Sequence, residues 1–494
     1  MRRILFLGLC LVGVLSPVIY FTDITFLYNE KRIIVSGLLI LAGLSVAFIS
    51  NKKLKKVHSL LPGYVWWGIL ISLLLLSISI LQTEYPVYGI VEVGLYLLLF
   101  WVALITANIT NSHKYGRYAV ITSACFLVFF YVLKFSLGYT FYLLEFKDFP
   151  LWPANGIKTG VIGFVNIRFF NQVQVFTLPL LLGGALFAIQ KQKLAGYFLL
   201  VLSANWWMLL IESAGRGVFL STLTAALIVL YFFRESTHRW MWHFLGTLLL
   251  GYFLKILLFD IIPPDTGFSK SIIRGGSPRV SLYPKTFFAS LNRPLLGHGP
   301  MAFANINSDF FRGHPHNSIL QLLYEFGYPV TIVIGLGGIY GIKQWLEQTQ
   351  KLFSSPSGAN YDQTIIRVSL TVALLGGLLY SLLSGVIVMP LSQLWLALVF
   401  GTMVGLYTNH DSKEEHLRPI NIYKVIGVKL LILLASISLI SILIKDVPHL
   451  RENEQRFVEE TDRHVFRPRF WQQGKIGLDQ MPNIDEKSNT KSNL

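Results

Sequence analysis

Between Arg312 and Gly327 the chain reads Arg-Gly-His-Pro-His-Asn-Ser-Ile-Leu-Gln-Leu-Leu-Tyr-Glu-Phe-Gly. Two histidines, an Asn, a Gln and a Glu therefore stand at the mouth of an otherwise apolar segment. Apolar residues make up 53% of the sequence, so ionisable and amide groups gathered where a loop enters a hydrophobic helix cost stability unless they serve a purpose. We take this stretch as the candidate reaction centre. Pro315 disfavours helix at His314, so a helix should start around His316 to Ser318 with Asn317 able to cap it. Asn317, Gln321 and Glu325 then fall at i, i+4 and i+8 and form a polar stripe about 12 Å long, with His316 beside it. A His-x-His pair also occurs in zinc sites. Zinc needs a third ligand, however, and the nearest candidates, His298 and Asp309, stand at no recognisable spacing, so no metal and no other cofactor is expected.

The cations that could serve such a centre lie elsewhere. Arg216 sits in Glu212-Ser-Ala-Gly-Arg216-Gly217, between two apolar runs and with almost no loop. A planar guanidinium that keeps its proton suits a phosphate or pyrophosphate there. A Glu212 to Arg216 salt bridge at i,i+4 spacing is an equal reading of the same residues. Arg168, in Asn166-Ile-Arg168-Phe-Phe-Asn171-Gln172, has a lipid-phosphate anchor as its competing role. Lys270, Arg274, Arg279, Lys285, Arg293 and Arg312 crowd one later loop against only Asp265 and Asp309. Such an excess points to a ligand that brings negative charge.

Only 14% of residues are charged, where soluble domains carry about 25%, and the mean hydropathy is +0.56. This is an all-α, polytopic transmembrane bundle. Apolar runs of roughly 17 to 25 residues, the length needed to cross about 30 Å of hydrocarbon, begin near Ile4, Ile33, Leu61, Pro86, Ala119, Val173, Leu194, Gly217, His243, Ile319, Ile365, Leu391 and Val425. About 12–13 spans are expected, the first a retained helix running on to Phe21. The net charge of +16 sorts by side rather than pointing to nucleic acid. Lys and Arg collect in alternate loops, from Lys52, Lys53, Lys55 and Lys56 to Lys413, Arg418 and Lys424, with Lys31 and Arg32 a local exception. Two long external loops result, Gly138 to Gln172, which reads as re-entrant or interfacial, and Pro263 to Asn317, with a short amphipathic helix over Ser281 to Leu291. Within spans, Glu92 should find a partner inside the bundle and Lys134 should snorkel. Gly335, Gly337, Gly338, Gly376, Gly377 and Gly385 mark close helix contacts. The chain divides into N-terminal helices (1–137), central helices with the first external loop (138–262), a large external loop (263–317), C-terminal helices (318–444) and a polar tail (445–494). The end of that tail, Lys487 to Leu494, should be disordered. Cys10 and Cys125 form no disulfide framework, and the lack of Walker, Rossmann, HExxH and GxSxG motifs removes the simplest support for ATP hydrolysis and serine hydrolase chemistry.

The run His316-Asn317-Ser-Ile-Leu320-Gln-Leu-Leu-Tyr-Glu-Phe-Gly327 resembles the His-(Ser/Asn)-x-x-Leu-x6-Gly signature of the bacterial O-antigen ligase family. Gly215-Arg216-Gly217 looks like that family's Arg motif. Ser277-Pro-Arg279, Pro294-Leu-Leu-Gly297-His-Gly299 and Phe303 look like its periplasmic loop. The match spans roughly Asn166 to Gly327 by motif and also covers O-antigen polymerases and protein O-oligosaccharyltransferases. The resemblance implies a GT-C-like, metal-independent glycosyltransferase of the inner membrane with its site on the periplasmic face. Its donor would be a polysaccharide on undecaprenyl diphosphate, and its acceptor a sugar hydroxyl of lipid A-core, with membrane lipids around it and no nucleic acid. His316 would be the general base, and Arg216 and Arg279 would hold the pyrophosphate as it leaves. Arg168, Arg312, His314, Asn317, Gln321 and Glu325 would contact substrate. From another class, a transporter or flippase of lipid-linked sugars would bind the same pyrophosphate without chemistry.

Overall fold

Backbone amides within an apolar layer must bond to one another, which makes helix the default for runs like these. The computed structural model describes residues 2–19, 26–144, 163–262, 279–306, 308–310, 312–355, 361–411, 422–461 and 466–477, and these are helical with no strand among them. In chain order the helices are α1 (Arg2–Leu15), α2 (Leu27–Leu44), α3 (Asn51–His58), α4 (Gly63–Leu81), α5 (Pro86–Ser112), α6 (Lys114–Leu143), α7 (Ile167–Lys191) and α8 (Lys193–Glu212). They continue as α9 (Arg216–Phe232), α10 (Arg234–Lys255), α11 (Arg279–Ser290), α12 (Ser318–Ser354), α13 (Tyr361–Ser381), α14 (Pro390–Asp411), α15 (Ile422–Asp446) and α16 (Leu450–Thr461). Among the described residues 11 helices are long and apolar enough to cross a membrane, and two shorter apolar ones, Phe6–Leu15 and Arg216–Phe232, occupy the remaining runs. The chain is thus a multi-pass helical bundle. The first helix ends at Leu15, two residues before Pro17, and Phe21, to which it was expected to run, lies outside the described residues.

The span of α7 is 83% buried and that of α4 only 17%, so α7 forms the centre with α8 and α13 while α4 lies at the rim. Close approach uses small residues, as α14 meets α5 where Gly401 and Gly405 face the backbone of Ala103 and Ala107. The expected glycine contacts divide. Gly376 and Gly377 lie against Val175 and Phe176 of α7, and Gly385 lies against the His314 ring. Gly335, Gly337 and Gly338 have no neighbour within 4 Å of where a side chain would start, so the reading of them as packing positions is wrong. They lie in a stretch of α12 that is exposed on all sides, beside exposed Leu336 and Ile339.

Helix α12 is two helices joined at a break. Gly327 has φ 79 and ψ 171, a conformation essentially reserved for glycine. The break frees carbonyls one turn earlier, and the loop takes them: His298 N bonds Tyr324 O at 2.8 Å and Gly299 N bonds Glu325 O at 3.0 Å. Tyr328 N, on the far side, reaches Pro294 O at 2.7 Å. A side chain at Gly327 would add strain to a contact 2.6 Å from Leu295 O. Gly327→Ala should therefore lose about 1–3 kcal/mol or more, whereas Gly338→Ala should be neutral or slightly stabilising. Melting temperatures in detergent decide this, and equal values for the two variants would contradict the assigned break.

Candidate active site at one end of the bundle

The short helix Ser318–Phe326, the first half of α12, is entered through a strained residue. His316 has φ 60, a left-handed conformation that costs a non-glycine residue about 1–2 kcal/mol and tends to persist at functional sites. Tyr283 on α11 holds it there, its one hydroxyl proton shared between His316 O and Leu382 O, both at 3.1 Å. The amide of His316 donates to Nδ1 of His314 at 3.2 Å, and the two rings meet edge-on with centroids 4.2 Å apart. Arg312 Nη1 lies 3.2 Å from His316 Nε2. A guanidinium only donates, so Nε2 is the acceptor and a neutral His316 carries its proton on Nδ1. The lone pair a base would use is thus covered by Arg312.

The loop after α13 joins the histidines to the first arginine motif. Ser318 Oγ and Ser381 Oγ are 2.8 Å apart, and Gly385 abuts His314. In the same stretch, Tyr380 and Leu383 pack on Gly217, the neighbour of Arg216. Arg216 begins α9. The residue two before it, Ala214, also has positive φ, 49, and its carbonyl accepts from Arg168 Nη1 at 3.0 Å. Arg168 lies in the first turn of α7, whose cap is the Asn166 side chain, and not in an irregular loop. Of the first long loop, Trp152, Pro153, Gly156 and Gly160 lie outside the described residues, and so does any re-entrant segment there. Glu212 lies 4.0 Å from Lys255 Nζ. Arg279 opens α11 as expected, while Lys270 and Arg274 lie outside the described residues. Arg168, Arg216, Arg279, Arg312, His314 and His316 thus all sit at one end of the bundle.

The polar stripe has another use. Asn317 caps α12, its Oδ1 accepting from Leu320 N at 3.0 Å. Gln321 is buried. Glu325 is 0% exposed, with Oε2 2.6 Å from Arg469 Nη2 and Oε1 accepting from Phe303 N at 3.2 Å. Arg469 Nη2 also bonds Glu92, which in turn accepts from Tyr96. Glu325 is therefore corrected from a substrate contact to a structural one, because both its oxygens are engaged and none of it is accessible. Glu92 has its partner inside the bundle. Lys134, expected to snorkel, bonds Val18 O at 2.8 Å.

Arg469 belongs to the polar tail, and sequence reading missed it. Residues 468–477 are buried. Arg32 on α2 donates to Phe470 O at 3.1 Å and Gln393 Oε1 at 2.8 Å, Asn29 takes Gln472 N at 2.8 Å, and Lys475 Nζ bonds Asn305 O and Ser308 Oγ, both at 2.9 Å. Arg32 is thus an interior anchor, which explains its exception to the charge sorting. The available signal was the cluster Phe466, Phe470, Trp471, Gly474 and Gly477 in an otherwise charged stretch. The terminal stretch Lys487 to Leu494 lies outside the described residues.

Electrostatics at this end are one-sided. Burial, then Arg312, Arg279 and Arg467, bring the His316 imidazole down to about 3. His314 falls well below the usual histidine range through burial, with His316, Arg469, Arg312 and Arg279 adding to it. Both rings are neutral at pH 7. Burial and the repulsion of Arg467 and Arg279 lower Arg312 itself. The arrangement offers an anion several guanidinium partners beside a neutral imidazole. His298 is engaged apart from them, its Nε2 3.0 Å from Ala289 O and its ring stacked on Tyr324. Among the described residues no three His, Cys, Asp or Glu side chains gather as metal ligands. No protein-family model matches the chain, and no curated protein matches it.

Cations lower a neighbouring imidazole, so removing one raises it. In the free protein, diethyl pyrocarbonate labelling of His316, followed residue by residue, should stay flat from pH 8 down to 5. Arg312→Ala should speed labelling by uncovering Nε2 and should shift the acid-side decline of the profile to higher pH, with burial, Arg279 and Arg467 still holding it below the range of an ordinary histidine, near 6.5. A wild-type decline near pH 6.5 that Arg312→Ala leaves in place would contradict the assignment.

Proposed function

We propose that this protein is an O-antigen ligase-like glycosyltransferase of the bacterial inner membrane. It transfers a polysaccharide from undecaprenyl diphosphate to a sugar hydroxyl of lipid A-core on the periplasmic side. The carrying observation is a strained, neutral His316 hydrogen-bonded to Arg312, at the bundle end that also holds Arg216 and Arg279. The motif residues that carry the resemblance, His316, Gly327, Arg216, Arg279 and Gly297, all belong to that end or to the break beneath it.

In this reaction the acceptor hydroxyl oxygen attacks the anomeric carbon of the donor. The bond from that carbon to the diphosphate oxygen breaks, and direct displacement inverts the configuration. His316 Nε2 takes the hydroxyl proton, and undecaprenyl diphosphate leaves with the bonding electrons. Guanidinium groups fixed in advance favour that step, because negative charge grows on the leaving oxygen. Arg312 must first turn from His316 toward the diphosphate, since one lone pair cannot accept from both Arg312 and the hydroxyl. His314 positions His316 through its backbone amide and does not itself react.

Three readouts test the proposal. Purified protein should transfer in excess chelator, and full loss with EDTA rescued by Mg²⁺ would refute the metal-independent route. His316→Ala should lower turnover by about 10² to 10⁴-fold and leave carrier-lipid binding in place, whereas a flippase would be little affected. A lipopolysaccharide gel from a deletion strain should lose all long chains while carrier-linked polymer accumulates. Capping by single repeats would mean a polymerase instead.

A further inference from the structure

We infer that Arg467, on the C-terminal segment, is a further diphosphate-binding residue, so that the tail completes the donor site. This rests on the reading of that site as a carrier-diphosphate site. The backbone position is fixed from several sides. The next residues, Pro468 to Gly477, are buried. Tyr28 and Arg32 hold the carbonyls of Arg469 and Phe470, and Ile476 exchanges backbone hydrogen bonds with Ala304 and Ile306 at 3.0 and 3.1 Å. The carbonyl of Arg467 lies 2.6 Å from where a Cβ on Gly313 would stand. It therefore rests on the backbone between Arg312 and His314, and a side chain at Gly313 would push it away. Arg467 itself is exposed, so a rigid buried strap carries one outward guanidinium at the mouth of the site.

Cations from three separate elements gather around it. Arg279 from α11, Arg312 from the loop and Arg467 from the tail all act on His316, and Arg279 and Arg467 both act on Arg312. An anion bound among cations brought together from three elements distant in sequence offsets their mutual repulsion. A diphosphate ester, with two charges and several acceptor oxygens spread over two phosphorus centres, is matched to three guanidinium groups better than a single phosphate is.

The test is equilibrium binding of undecaprenyl diphosphate to the full-length protein in detergent, with undecaprenyl monophosphate and undecaprenol as comparison probes. Arg467→Ala should weaken undecaprenyl diphosphate by about tenfold to a hundredfold, the weight of one charge-assisted hydrogen bond. Arg467→Lys should weaken it less, Arg467→Glu more, and the change for the monophosphate should be smaller. Arg456→Ala, at an exposed pair with Glu452, should bind as wild type. In steady state, Arg467→Ala should raise the donor KM, and it should move the His316 labelling profile upward in pH. Wild-type affinity in Arg467→Ala would overturn the inference and leave the proposed function standing. If the wild-type protein binds undecaprenyl diphosphate no better than undecaprenol, the functional reading itself fails. Should the alanine variant not fold, methanethiosulfonate labelling of Arg467→Cys should be slowed by undecaprenyl diphosphate, and an unchanged rate would refute the inference.

Discussion

One guanidinium holds this architecture in register. Arg469 is 2% exposed on its side chain and bonds Glu92 of α5 and Glu325 of α12 at once. Each of these charges loses several kcal/mol of hydration on burial, and only close pairing with good geometry returns it. Both carboxylates lie about 9 to 11 Å along their helices from the same end, at 1.5 Å per residue. The clasp therefore fixes the depth of α5 relative to α12 and draws the tail into the bundle. Glu325 passes the constraint on, because its second oxygen takes Phe303 N and so locks the loop before α12.

The break at Gly327 is the second half of the same device. A continuous α12 would satisfy Tyr324 O and Glu325 O within the helix and leave the Gly297-His298-Gly299 turn without partners. Broken, it gives those carbonyls to the turn, and the short Ser318–Phe326 helix becomes a separately anchored piece. Its C-terminal side is held by the turn and Arg469, and its N-terminal side by the Asn317 cap, Ser381 and Tyr283. With both ends fixed, the residue that enters the helix can be kept in a left-handed conformation. That residue is His316.

Hydropathy carried the bundle. Thirteen apolar runs correspond to 11 long helices and two short ones, because the need to satisfy backbone amides in an apolar layer depends only on run length. The short helix over Ser281 to Leu291 and the cap at Asn317 were legible for local reasons, helix formers and an amide before a helix. What could not be read depends on the third dimension. Glu325 looked like a site residue because a stripe at i, i+4, i+8 says which side chains share a face, not what faces them. Its partner stands 144 residues away in a stretch whose charge resembled a solvated tail. Gly335, Gly337 and Gly338 failed for the converse reason, since small residues permit a close neighbour without requiring one. Lys31 and Arg32 disturbed the charge sorting because the rule counts charges, whereas Arg32 spends its charge on carbonyls of the tail.

The weakness of His316 as a free base has a physical resolution on the proposed reading. An imidazole held down to about 3 with Arg312 on its lone pair is poorly matched to proton abstraction near neutral pH. Burial sets the first handicap and the cations deepen it, while Arg312 alone makes the second, and an anion offsets the part that the cations contribute. A negative charge about 5 Å from the ring, at an effective dielectric near 20, is worth about 3 kcal/mol, or about two pH units of basicity. A diphosphate would raise the basicity of His316 and would at the same time compete for Arg312. Base strength would then follow donor occupancy. The site would have little power to activate water while empty, and most when the sugar it is to transfer is already bound.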